Sequence, residues 1–157
     1  DWVANSLNIL VLGPTGSGKS FVASSLGTAA IRLGYSVRYC HTSRLLHTLE
    51  QTRQEASYTT TLRSLARTDL LILDDWMRDP LSLTNAQDIL EVMDDRFGHA
   101  STIVIAQMPV AEWFSQIPSP TLADAILDRL VHTAYRIQLT GESQRKLRSP
   151  IRTMPHT

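Results

Sequence analysis

The 157-residue sequence predicts a doubly wound α/β domain with a parallel sheet covered by helices on both faces. Three observations carry this. Short runs that are apolar along their whole length (NILVL, LLIL and TIVIA) alternate with stretches of helical periodicity, as strands buried on both faces do. The segment GPTGSGKS at residues 13–20 sits between the first apolar run and the first helical stretch, where a parallel strand hands over to a phosphate-binding helix. The LLIL run ends in adjacent carboxylates, Asp74 and Asp75, and ligands in such sheets bind at the carboxyl ends of the strands.

The elements follow in order. Residues 8–12 form a buried strand that stops at Gly13. Residues 19–33 place Val22, Leu26, Ala29, Ala30 and Leu33 at helical spacing, and Gly34 stands where a helix-terminating glycine belongs. Residues 36–40 (SVRYC) read as a second strand. Thr42 or Ser43 can cap a helix carrying Leu45, Leu46 and Leu49, and a second helical segment at about 58–67 carries Leu62 and Leu65. After the LLIL strand, a helix over 84–97 presents Ile89, Leu90, Val92, Met93 and Phe97. TIVIA (102–106) is the next strand, and Pro109 and Val110 open a short helix through Trp113. Thr121 caps a helix with Leu122, Ala125, Ile126, Leu127 and Leu130, and YRIQL (135–139) is the last strand. The core spans residues 1–148, with a loose tail at 149–157.

Composition narrows the class. Hydrophobic residues at 43% and charged residues at 19% suit one globular domain and argue against wholesale disorder. No run reaches the ~18 apolar residues of a membrane span, and no signal peptide is expected, since residues 1–7 show neither a basic region nor an apolar one. A lone cysteine, Cys40, forms no internal disulfide, so a reducing, cytoplasmic setting is expected. The net charge is zero, which by itself argues for no nucleic-acid or membrane partner. Locally the balance breaks. Arg38, Arg44, Arg53, Arg63 and Arg67 face only Glu50 and Glu55 between residues 36 and 68, and a second basic stretch follows Gly141. These stretches are solvated helix faces or a nucleic-acid surface.

The chemistry is concentrated at the strand ends. In the segment Gly13, Pro14, Thr15, Gly16, Ser17, Gly18, Lys19, Ser20, the glycines let backbone N–H groups point inward at anionic phosphates. Lys19 would reach the β- and γ-phosphates, and the Ser20 hydroxyl would hold Mg²⁺. Asp74 can approach the same metal. Asp75 either orients an attacking water or is a capping carboxylate. Paired acids here suit a nucleotide hydrolase of the additional-strand class. The expected strand order across its sheet begins at Ser36, Leu70, Thr102, Asn8 and Tyr135. Gln107, next to the phosphate loop, bridges the γ-phosphate or the water, or merely begins a loop. Arg129 is a surface ion pair with Asp124 or Asp128, or a finger for a neighbouring subunit's γ-phosphate. His41 and His47 lie near each other without the spacing of a metal pair.

The blocks NILVLGPTGSGKS, DLLILDDW, SPTLADAILDRLVHTAYRIQL and GESQRK, spread from Asn5 to Arg148, resemble the IstB-like transposition-helper ATPases of the DnaC/DnaA-like branch of the AAA+ superfamily. The resemblance implies an ATPase that hydrolyses ATP with Mg²⁺ between subunits of a ring or helical assembly on duplex DNA, engaging a transposase. It places the arginine finger on Arg129, sensor 1 on Gln107, the catalytic acid on Asp75 in place of the usual glutamate, and sensor 2 on Arg145. It also makes residues 43–67 a DNA-facing element, with Arg44, Arg53, Arg63 and Arg67 as phosphate contacts. Relatives carry a small N-terminal domain, so this stretch reads as the ATPase core alone. A DnaC-type helicase loader has the same core and differs in its partner. A small P-loop kinase would need an acceptor site and a mobile lid, and a binding module would hold ATP without hydrolysis.

Overall fold

The structure, a computed structural model, describes residues 1–140. The sensor-2 candidate Arg145 and the expected tail at 149–157 lie outside the described residues.

Strand β1 (Ile9–Leu12) leads into helix α1 (Lys19–Arg32), followed by β2 (Val37–His41), α2 (Thr42–Gln54) and α3 (Tyr58–Arg67). Strand β3 (Leu70–Asp74), α4 (Leu83–Arg96) and β4 (Ser101–Ala106) come next. Two short 3₁₀ turns (Val110–Glu112 and Phe114–Gln116) then precede α5 (Pro120–Val131) and β5 (Tyr135–Gln138). The five strands are parallel in the order β2-β3-β4-β1-β5, the order expected from the sequence. Strand β4 lies between the phosphate-loop strand and the acidic strand.

Alternation along the strands divides the core. Leu10, Leu12, Leu71, Leu73 and Val104 pack with buried residues of α2 to α5. Ile9, Val11, Leu70, Ile72, Ile103 and Ile105 face the other way, toward α1 and Val3. One helix therefore covers one face closely. A Cβ at Gly27 of α1 would stand 3.1 Å from Ile72 Cδ1, so helix and sheet meet almost backbone to side chain.

A buried cation ties the second layer together. Arg96, 1% exposed at the end of α4, donates to the carbonyls of Leu65, Thr68 and Ser101 and to the Thr102 hydroxyl. Burial lowers its pKa to about 10, and the carbonyl dipoles stand in for a counter-ion.

Two capping expectations are corrected. The cap of α5 is Ser119, whose hydroxyl accepts from Leu122 N, and Pro120 takes the first helical position, leaving Thr121 inside the helix. At α2 the cap position is His41, and neither Thr42 nor Ser43 caps. The Thr42 hydroxyl instead donates to the Asp74 carbonyl at 2.8 Å. The remaining elements shift by about a residue at their ends, as helix and strand boundaries commonly do. The short helix through Trp113 is the 3₁₀ turn Val110–Glu112, and a second, unexpected turn follows at Phe114–Gln116.

Candidate functional site

The phosphate loop fills the gap between β1 and α1. Gly18 sits at the cap of α1 with φ 95°, a left-handed backbone that glycine adopts without steric cost. Gly13 has no room for a side chain, since a Cβ there would lie 2.7 Å from the Leu139 carbonyl and 2.8 Å from Ser17 Oγ. Lys19 Nζ donates to the Pro14 carbonyl at 2.7 Å, so the ammonium folds back over its own loop. Partial burial lowers the Lys19 pKa, while Asp74 and Asp75 pull the other way. The Ser17 hydroxyl is buried in the loop with no hydrogen-bond partner among the described residues.

Strand β3 delivers the acids to the same end of the sheet. Ser20 Oγ donates to Asp74 Oδ2 at 3.2 Å, across 54 residues of sequence. Asp74 is 7% exposed, and its Oδ1 accepts the Asp75 N–H at 2.7 Å. A hydroxyl beside a carboxylate is the all-oxygen donor set that suits Mg²⁺, so the residues present fit that ion. Asp75 has φ 53° and Met77 φ 56°, so two non-glycine residues in three adopt the left-handed conformation. The resulting turn sends the Trp76 ring into the core against Trp113, with ring centres 6.0 Å apart, and leaves Asp75 exposed above it. On the next strand Gln107 is exposed, and its Oε1 accepts from Thr15 Oγ1 at 3.0 Å.

Sequence reasoning missed two residues here. Tyr39 donates a hydrogen bond to Asp74 Oδ2, and His41 Nδ1 lies 3.3 Å from Asp75 Oδ2. Burial, followed by the Asp74 bond, pushes the Tyr39 pKa up to about 12. The signal lay in the alternation of Val37, Tyr39 and His41, which puts three side chains on one side of a strand. The pairing of His41 with Asp74 across β2 and β3 then sets them at the acids.

Arg129 stands apart from its own loop. The Asn8 side-chain amide donates to the carbonyls of Arg129 and Leu130 at the start of β1, whereas the loop follows the end of that strand. Four residues of strand, about 13 Å, separate the two ends. Its guanidinium pairs with Asp94 of α4, a more distant partner than the Asp124 or Asp128 of its own helix, and donates to the Ala125 carbonyl at 3.0 Å. Arg44, Arg63 and Arg67 are exposed on α2 and α3. Arg53 differs, since it pairs with the buried Asp88 and lies 4.7 Å over the Tyr58 ring, bracing α2 against α3 and α4.

Among the described residues no helix is long and apolar enough to cross a membrane. The family model for IstB-like ATP binding proteins matches residues 1–150. An insertion sequence ATP-binding protein of Sinorhizobium fredii is 47% identical over 150 residues, covering 96% of this chain and 60% of that protein. The chain thus spans about three fifths of the length of that relative. Among solved structures, the DnaC helicase loader superposes with a TM-score of 0.76 at 18% identity, covering 88% of this chain and 84% of that one. The replication initiator DnaA bound to AMPPCP and single-stranded DNA gives 0.73 at 15%, covering 89% and 42%. These likenesses show a shared fold, the five-stranded parallel α/β domain described above. With that fold, and with a family match running through the phosphate loop, the acid pair and the α5 arginine, the chain belongs to the IstB-like ATP-binding protein family.

Proposed function

We propose that this chain is an ATPase domain that acts in transposition, hydrolysing ATP at the contacts between subunits of an assembly on duplex DNA. The observation that carries the reading is the closure of Ser20 on Asp74 beneath Lys19, which unites a phosphate loop and a metal carboxylate at one sheet end. Family membership and the insertion-sequence relatives support the biological setting.

Each residue has a task. Backbone N–H groups from Gly13 to Ser20 and the α1 terminus bind the phosphates. Lys19 leaves the Pro14 carbonyl for the β- and γ-phosphates, and the phosphate charge then favours its ammonium form. Ser20 and Asp74 would hold Mg²⁺, which would supply charge neutralisation at the phosphate oxygens. Asp75, exposed on its strained turn, orients the attacking water, and Gln107 bridges from the adjacent strand. Arg129, one strand length from its own loop, serves the nucleotide of a neighbour. Arg44, Arg63 and Arg67 contact DNA phosphates, with Arg53 adding its outward N–H groups while it braces α2. Arg145 is the sensor-2 candidate. The partner is a transposase.

The test is ATP turnover per subunit against protein concentration, with and without duplex DNA. Turnover is expected to climb with concentration and to climb further on DNA. A rate that is flat in both, in a chain that binds ATP, contradicts a shared site. The likeness to the DnaC helicase loader favours one alternative, in which the ATPase is a switch for a replicative helicase. Retention of helicase rather than transposase by the ATP-bound chain would select it.

A further inference from the structure

Edge strand β2 contributes a side chain to the metal site. Tyr39 and His41 point the same way, their rings T-shaped with centres 6.3 Å apart, and both end on the acids of β3. Asp74 Oδ2 accepts from two hydroxyls at once, those of Ser20 and Tyr39. Asp74 Oδ1 is taken by the Asp75 N–H. Ser20 can turn its lone pairs to a metal and remain at the site. Tyr39 is different, because a neutral phenol in this position donates a proton into the space that a cation or its bound water needs. Mg²⁺ demands near-octahedral oxygen ligation, so an Oδ2 lone pair now taken by a hydroxyl has to be turned to it.

We propose that Tyr39 is a positioning residue of the metal site, holding the Asp74 carboxylate through Oδ2 and yielding that oxygen when Mg²⁺ enters with ATP. This rests on the reading of Ser20 and Asp74 as the metal residues. The edge position makes the movement easy. Tyr39 is 41% exposed, so its ring swings outward without opening the core. Metal loading is thereby tied to a side-chain movement on the strand that leads into α2.

Tyr39→Phe keeps the ring and removes only the hydroxyl. Binding of a fluorescent ATP analogue is titrated with Mg²⁺ and repeated in EDTA. In Tyr39→Phe the Mg²⁺ concentration at half-effect is expected to fall roughly three- to tenfold, with a much smaller change in EDTA, since the lost bond is to a charged acceptor. An unchanged or higher half-point overturns the proposal, the higher value meaning that the hydroxyl supports the loaded site. Ser20→Ala and Asp74→Asn separate the two levels. If both abolish the Mg²⁺ effect while Tyr39→Phe does nothing, Tyr39 has no such role and the metal reading stands. If neither alters it, the metal reading and the proposal fall together. A second readout is independent of affinity. The chain has four tyrosines, so the ¹⁹F signal lost in Tyr39→Phe identifies Tyr39 in fluorotyrosine-labelled protein. That signal is expected to move when Mg²⁺ and nucleotide are added together, and a signal that stays in place counts against the proposal.

Discussion

The three central strands and the two edge strands of this sheet do different work. Strands β1, β3 and β4 are buried at every position and supply the loop, the acid pair and Gln107 at their ends. Strands β2 and β5 have no buried position and expose Arg38, Tyr39, Tyr135 and Arg136. The centre fixes where the chemistry sits, because a strand packed on both faces cannot shift without moving the whole core. The β2 edge meets the acids from the rim, through Tyr39 and His41.

That contrast can be broken most severely at Arg96, which pins the start of β4 to α3. Arg96→Met leaves the carbonyls of Leu65, Thr68 and Ser101 without their donor. A loss of about 3–5 kcal/mol in denaturant unfolding is expected. At the centre of the sheet Ile103→Ala, fully buried, should cost about 2–4 kcal/mol. A loss near zero at either position would mean that the centre is not the rigid frame. Lys19→Ala should leave unfolding unchanged while weakening ATP binding by roughly ten- to a hundredfold, as removal of a charged donor does. Thr42→Val sharpens the boundary between the regions. It removes the donor to the buried Asp74 carbonyl and should cost about 1–2 kcal/mol. Tyr135→Ala on the open edge should fall within about 0.5 kcal/mol of the parent. A larger loss there would mean that β5 is covered in the folded protein.

The same division decided what the sequence revealed. NILVL, LLIL and TIVIA are readable as strands because burial on both faces makes them uniformly apolar, and GPTGSGKS and Asp74-Asp75 mark their ends. The strand order followed from that acid pair. Tyr39 and His41 were readable as sharing one side of a strand, but not as neighbours of the acids. SVRYC has the mixed character of an edge, and only the register of β2 against β3 brings these side chains to the acids. Thr42 looked like a helix cap because a hydroxyl before an apolar helical stretch usually is one. Here the nearby Asp74 carbonyl is its partner instead. The Ser119–Pro120 start of α5 yields to the same kind of reading, since proline favours the first helical position and puts the cap one residue earlier. The Asp94 partner of Arg129 lies 35 residues away on another helix, beyond any local pattern.

The central claim is that one subunit's loop and another's Arg129 form a single site, and subunit mixing tests it most directly. Lys19→Ala is expected to bind nucleotide too weakly for turnover but keeps Arg129, whereas Arg129→Ala keeps the phosphate loop but offers no finger. Each variant alone is expected to be nearly inactive in ATP turnover on duplex DNA. Their mixture should regain turnover, because interfaces pairing an intact loop with an intact arginine form again. If the mixture stays as inactive as its parts while both variants bind DNA and co-assemble, or if Arg129→Ala alone turns over ATP normally, the site is not shared and the account is wrong.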